Sequence, residues 1–227
     1  MQIDRKGRFD FVSEVDRNAE AKIIEIIHRA YPDHAILGEE SGAHGEHALQ
    51  WVIDPLDGTT NYLHGLPHFC TSIAVLDRGE PVHAIIYDPV KEELFTASKG
   101  SGAQLNRRRI RVSPGKQLDQ ALIGTGEPMT PGDALERYRP QLLRIIEQGG
   151  GIRRAGSAAL DLAYVACGRL DAFWELGLKP WDIAAGILLV QEAGGSCREL
   201  QGGDLLETGD IAAANPKLID PLLAALG

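Results

Sequence analysis

Asp54 and Asp57 close the apolar run Trp51-Val52-Ile53 and are followed at once by Gly58-Thr59-Thr60-Asn61-Tyr62. Pro55 lies between the acids, where its fixed φ is expected to turn the chain sharply and end the strand. Such a turn brings both carboxylates and the Leu56 carbonyl toward one point, a set of oxygens suited to a hard cation such as Mg²⁺. Gly58 lets the backbone approach closely, and N–H groups over Gly58, Thr59 and Thr60 could hold a phosphate. An isolated D-P-x-D reads equally well as an Asp-Pro turn with capping residues. Two further segments tip the balance. Gly38-Glu39-Glu40-Ser41 places acids at the end of another short apolar run, and Trp181-Asp182 places one in the first turn of an apolar helix. Each alone is more often a solvated charge or a cap. Together they point to carboxylates gathered at strand and helix ends.

The elements that must position these residues are legible as periodicity. Ser13 and Asp16 resemble a capping signal, and Val15, Ala19, Ile23, Ile24, Ile27 and Ala30 recur at helical spacing up to Tyr31-Pro32. Ala35 to Leu37 and Trp51 to Ile53 read as short strands. Thr71 to Leu76, Val82 to Tyr87 and Glu93 to Ala97 read as an antiparallel meander, and 103–105 with 110–112 as a further hairpin. Helices are expected over 131–148, 157–167 (capped by Ser157 and closed by Gly168), 181–193 and 216–225, with strands at 171–175, 196–199 and 211–213. This order predicts a layered α/β (α+β) architecture in one domain over 1–227. Its lobes would be 1–117 and 118–227, with the boundary near 114–121.

Composition narrows the class. A formal net charge of −9 argues against broad nucleic-acid binding, although it leaves room for a phosphate held through cations. Cys70, Cys167 and Cys197 match no disulfide framework or zinc spacing, which fits a reducing, cytoplasmic setting. No run approaches a membrane span, and MQIDRKGRFD does not read as a signal peptide.

W-V-I-D-P-L-D-G-T-T-N-Y (51–62) and W-D-I-A-A-G-I-L-L-V-Q-E-A-G-G (181–195), with G-E-E-S (38–41) ahead of them, resemble the signatures of the inositol monophosphatase family. The likeness runs from about Phe11 onward. It implies a five-layer αβαβα sandwich, usually a homodimer, hydrolysing a small-molecule phosphate monoester with Mg²⁺ and sensitive to Li⁺. Carried over by motif position, the metal ligands are Glu39, Asp54, the Leu56 carbonyl, Asp57 and Asp182. Glu39, Thr59 and Asp16 surround the attacking water. Gly58, Thr59 and Thr60 cradle phosphate, Gly156, Ser157 and Ala158 form a substrate-side loop, and Glu175 binds a sugar or inositol hydroxyl. Members usually carry about one more helix ahead of the Asp16 region, with a basic residue near the metals that Arg5 or Lys6 would have to replace.

Substrates weighed within the family are inositol and similar polyol phosphates, fructose 1,6-bisphosphate and a nucleotide 3'-phosphate. Some bacterial relatives also bind the transcription machinery in ribosomal RNA antitermination. The basic cluster Arg107, Arg108, Arg109 and Arg111 reads either as a solvated turn or as such an RNA or protein contact. Arg153 and Arg154 precede the Gly156 loop, where they could face substrate or a dimer partner. His64 and His68 lie just past the first motif, and Trp174 and Trp181 read as packing that fixes the acid loop.

Overall fold

In the computed structural model of the chain, residues 3–5, 11–128 and 132–227 are described. Lys6 and the side chains of Arg5 and Ser13, expected as a stand-in base and a cap, lie outside what is described.

The chain opens with an antiparallel pair, β1 (Ile3–Arg5) and β2 (Phe11–Ser13), and enters α1 (Glu14–Ala30). A first sheet follows: β3 (Ala35–Gly38), β4 (Gly42–His44) and β5 (Leu49–Asp57), then the short helix α2 (Thr59–Leu63), then β6 (Cys70–Asp77), β7 (Glu80–Asp88), β8 (Glu93–Ser98), β9 (Gly102–Leu105) and β10 (Arg108–Arg109). These eight strands run in the order β10-β9-β8-β7-β6-β5-β3-β4 and are antiparallel except where β3 meets β5. After a 3₁₀ turn at Leu118–Gln120 come β11 (Leu122–Thr125), α3 (Asp133–Glu147), β12 (Gly151–Arg153), α4 (Ala158–Ala166), β13 (Ala172–Glu175), α5 (Pro180–Glu192), β14 (Ser196–Glu199), α6 (Leu205–Thr208), β15 (Ile211–Ala214) and α7 (Ile219–Leu226). The second sheet has the order β12-β11-β13-β15-β14.

The burial pattern stacks these elements into five layers. Ile23, Ile24 and Ile27 of α1 cover Ile36 and Ile53 on the outer face of the first sheet. Its inner face, with Val52, Ala74, Ala84, Ile86 and Phe95, closes on the alanine-rich helices α4 and α5. Those helices also bury one face of the second sheet through Phe173, Ile211 and Ala213. The other face of that sheet, with Ile123, Trp174 and Ala212, packs on α3 and α7. An αβαβα order results because each sheet must cover two apolar faces and the chain supplies three helical layers.

Three expectations are corrected. First, Pro55 does not end the strand: β5 continues to Asp57 through an irregularity between Asp54 and Asp57. Proline is tolerated there because the bulge frees that position from the ladder. Second, the hairpin after β9 closes on β10 at Arg108–Arg109 rather than on 110–112. Asn106 and Arg107 both take left-handed φ (48° and 65°), the conformation of a tight two-residue turn that shortens the loop. Ile110 still donates its N–H to Ala103 O of β9 at 3.0 Å, and the chain then leaves the sheet, the Val112 N–H bonding the Ala193 carbonyl at 3.2 Å. Third, α3 begins at Asp133 and α7 at Ile219, later than the sequence suggests; Pro131 lies outside the described residues.

Candidate active site

Asp54 and Asp57 share a face because of the bulge. Asp54 pairs with Ser72 and Asp57 with Cys70 across the sheet. Ser72 and Cys70 alternate onto one face, whereas a step from residue 54 to 57 in a regular strand would change faces. The extra residue resets the alternation and turns both acids toward α4 and α5. It also takes carbonyls off the ladder: Pro55 O accepts from Thr71 Oγ1 at 3.0 Å, and Leu56 O from Thr59 Oγ1 at 2.9 Å.

At Gly58 the backbone is left-handed (φ 93°), and an added Cβ would meet His68 O at 3.0 Å and Gly156 O at 3.3 Å. Only glycine fits both constraints. Asn61 ties this turn down through Nδ2, which donates to His68 O at 2.8 Å and Ala155 O at 2.9 Å. The two signature-bearing halves of the chain are thereby stitched at the cleft. Thr59 Oγ1 also lies 3.1 Å from Oδ1 of Asp16, which is fully buried on α1. One hydroxyl proton can serve Asp16 or Leu56 O, not both.

Asp57 accepts on Oδ2 from Ser157 Oγ at 2.6 Å and Ala159 N at 2.8 Å at the start of α4; burial raises its pKa, and these hydrogen bonds oppose the rise. Ser157 is the N-cap of that helix, accepting from Leu160 N. Asp182 accepts from Lys179 N at 2.7 Å through Oδ2, in the first turn of α5. Glu39 leaves the end of β3 with its N–H on Ile53 O at 3.0 Å.

These residues converge. One cleft of about 460 Å³ is lined by Glu39, Asp54, Leu56, Asp57, Gly58, Thr59, Thr60, Gly156, Ser157, Ala158, Glu175 and Asp182. Asp16 stands behind it, against Thr59. The first turns of α2, α4 and α5 all open on this cleft, adding positive dipole ends. Arg154 also lines it, in an ion pair with Glu127 at 2.9 Å. His68 is partly buried and contributes its carbonyl, while its ring packs edge-on to Tyr164. Trp174 is fully buried and stacks on Tyr138, and the Trp181 carbonyl accepts from Ser72 Oγ.

Charge accumulates here against its own field. Burial, then the charges of Glu39, Asp57 and Asp182, push the Asp54 carboxyl well above its usual range. Burial and Asp57 push Asp182 up to about 8. Glu175 is raised by burial, then by Asp161 and Asp182, with Arg154 opposing. Among the described residues no three His, Cys, Asp or Glu side chains stand close enough to form a finished metal cage. The chemistry of the donor set nevertheless fits Mg²⁺: the ligands are all oxygens, and the cluster gains by replacing protons with a cation.

Asp161 (2% exposed), Asn61 and Gly126 also line the cleft and were not singled out from the sequence. Asp161 is a first-turn acid in an otherwise apolar helix, a signal available in Ala158–Ala166.

The profile of the inositol monophosphatase family matches residues 1–226. The chain belongs to that family. It is 52% identical to "Nus factor SuhB" of Pseudomonas aeruginosa over 233 residues, covering 100% of this chain and 86% of that protein. Among solved structures, the extragenic suppressor protein suhB from Bartonella henselae is 46% identical with a TM-score of 0.95, covering 99% of this chain and 88% of that one. An inositol monophosphatase from Anabaena is 44% identical with a TM-score of 0.86, covering 93% and 85%. As a family member the chain has the metal-dependent phosphatase fold. No helix among the described residues is long and apolar enough to cross a membrane.

Proposed function

We propose that the chain is a Mg²⁺-dependent phosphatase acting on myo-inositol 1-phosphate and similar polyol phosphates. The observation that carries this reading is the convergence of Glu39, Asp54, Asp57 and Asp182 with the Thr59–Asp16 pair on one cleft. Glu39, Asp54, the Leu56 carbonyl, Asp57 and Asp182 would hold the metal. Bound Mg²⁺ supplies charge neutralisation for the phosphate and Lewis acidity for the attacking water and leaving alkoxide. The remaining steps belong to the chain. Thr59 Oγ1, with its proton turned to Asp16, offers a lone pair to a water in the cleft, and Glu39 orients that water from the other side. Gly58 to Thr60 present backbone N–H groups to the phosphate. Glu175, partly exposed in the cleft wall, accepts from a polyol hydroxyl, and the Gly156–Ala158 loop bounds the same side.

Phosphate release from myo-inositol 1-phosphate, fructose 1,6-bisphosphate and adenosine 3',5'-bisphosphate, with Mg²⁺ and with EDTA, tests this. Mg²⁺-dependent release with the inositol ester preferred is expected. Preference for either bisphosphate would change the substrate, and no release from any ester would refute the enzyme.

A second role is favoured by the name of the Pseudomonas relative and by the exposed tip that carries Arg107, Arg108 and Arg109. We infer that this hairpin contacts an RNA or protein component of the transcription machinery. Arg107→Glu with Arg108→Glu should weaken binding to an antitermination complex and leave hydrolysis unchanged. Unaltered binding would remove the hairpin from that role.

A further inference from the structure

Glu20 lies on the inner side of α1, one turn after Asp16, and is 2% exposed. It does not line the cleft. Its Oε2 accepts from the backbone N–H of Glu40 at 2.9 Å and its Oε1 from that of Ser41 at 2.8 Å. Both bonds are charge-assisted, the stronger class of hydrogen bond. Room for the carboxylate exists only because residue 38 lacks a side chain: a Cβ on Gly38 would stand 2.6 Å from Glu20 Cδ. On the other side, the Glu39 N–H is fixed to Ile53 O, next to Asp54. Glu39 is thus carried between two anchors, its own peptide on β5 and the two following peptides on one buried side chain of α1.

We propose that Glu20 is a positioning residue: it sets the direction from which Glu39 enters the cleft, and through it the affinity for the divalent cation. This rests on the reading of the cleft as a Mg²⁺ site. Because α1 also presents Asp16 to Thr59, one helix then fixes two of the groups placed around the attacking water. Misplacing a ligand by a fraction of an ångström is costly for an ion with strict coordination demands.

The full chain is titrated with Mn²⁺, followed by its electron paramagnetic resonance signal, as wild type, Glu20→Gln, Gly38→Ala and the double variant. Circular dichroism melts run alongside. Glu20→Gln should bind Mn²⁺ about tenfold more weakly while remaining folded, in the range seen when supporting partners of metal ligands are removed. Gly38→Ala, which displaces the same carboxylate from the other side, should match it, and the double variant should be no worse than the weaker single one. Under saturating Mg²⁺ the KM for the ester should stay unchanged. Wild-type Mn²⁺ affinity in a folded Glu20→Gln would overturn the proposal. So would loss of folding in both single variants, which would assign Glu20 to stability alone. A wild type that binds Mn²⁺ but hydrolyses no ester would refute the phosphatase and leave the affinity comparison to decide Glu20. One that binds no Mn²⁺ would refute both.

Discussion

Asp54 has its Oδ1 on the Leu56 N–H at 2.9 Å and is otherwise surrounded by the fields of Glu39, Asp57 and Asp182. Asparagine preserves the bond to Leu56 and removes one of the crowded charges. In metal-free protein Asp54→Asn should therefore raise Tm by ~2–4 °C, the response of a chain of this size to ~1 kcal/mol. The same change should lower Mg²⁺-dependent turnover by ~10³-fold or more, because a neutral amide is a poor ligand for a hard cation. Melting curves in EDTA and phosphate release in Mg²⁺ check the two halves, and a drop in Tm would contradict the picture of like-charge crowding. The acids at 39, 54 and 57 were legible because they close apolar runs, and Asp182 because it opens an apolar helix. Glu20 and Asn61 were not. Each is held in part by a backbone group far along the chain, such as Glu40 N for Glu20 and Ala155 O for Asn61, and a sequence does not display a distant N–H or carbonyl.

The strands and helices differ in how openly they announce themselves. β6, β7 and β8 alternate between a buried and a wetter face, so a period of two reveals them. β11 and β12 escaped notice because they are short, pair in parallel and carry no alternating pattern. β5 was cut short because proline ordinarily interrupts a ladder. The β7–β8 connection illustrates a turn held by one acid. Buried Asp88 accepts from Val90 N at 2.9 Å, Lys91 N at 3.0 Å and Lys91 Nζ at 2.5 Å. Burial alone would raise its pKa, but the Lys91 ammonium and the two N–H groups outweigh that and hold the carboxyl below its usual value. The unfolded chain thus binds this proton more tightly than the folded one. The stabilisation is full above the unfolded pKa of about 4 and fades as pH falls through the lower folded value. Asp88→Asn should cost ~1–3 kcal/mol at neutral pH and flatten the acid limb of stability below about pH 4, read by urea unfolding at several pH values. An unchanged acid limb would show that the turn does not depend on this charge.

For the whole molecule, the order of layers decides where the site can be. Glu39, Asp54 and Asp57 come from the first sheet, Asp182 from the central helices and Glu175 from the end of β13 in the second sheet. A cation bound among them ties the first sheet to the middle layer. Mg²⁺ should consequently stabilise the folded chain as a unit by mass action. At a hundred times its dissociation constant the gain is ~2.7 kcal/mol, a rise in Tm of ~5–10 °C. Differential scanning calorimetry with and without Mg²⁺ measures it, and the same salt step with Asp182→Asn should give much less. The layered class was readable from the succession of element types. That α4 and α5 form a shared middle layer was not, because nothing in their even apolarity says which sheet each helix faces.

The bulge at Pro55–Leu56 acts on the chain as a parity bit. It makes an odd spacing in sequence count as even on the sheet, and it is the reason the two aspartates look the same way. A protein shortened by one residue at this place would regain a regular strand, and its two acids, now two positions apart, would still share a face. What it would lose is the carbonyl that the surplus residue turns out of the ladder toward Thr59. The surplus residue therefore adds a third oxygen to two that a plain strand could already have aligned.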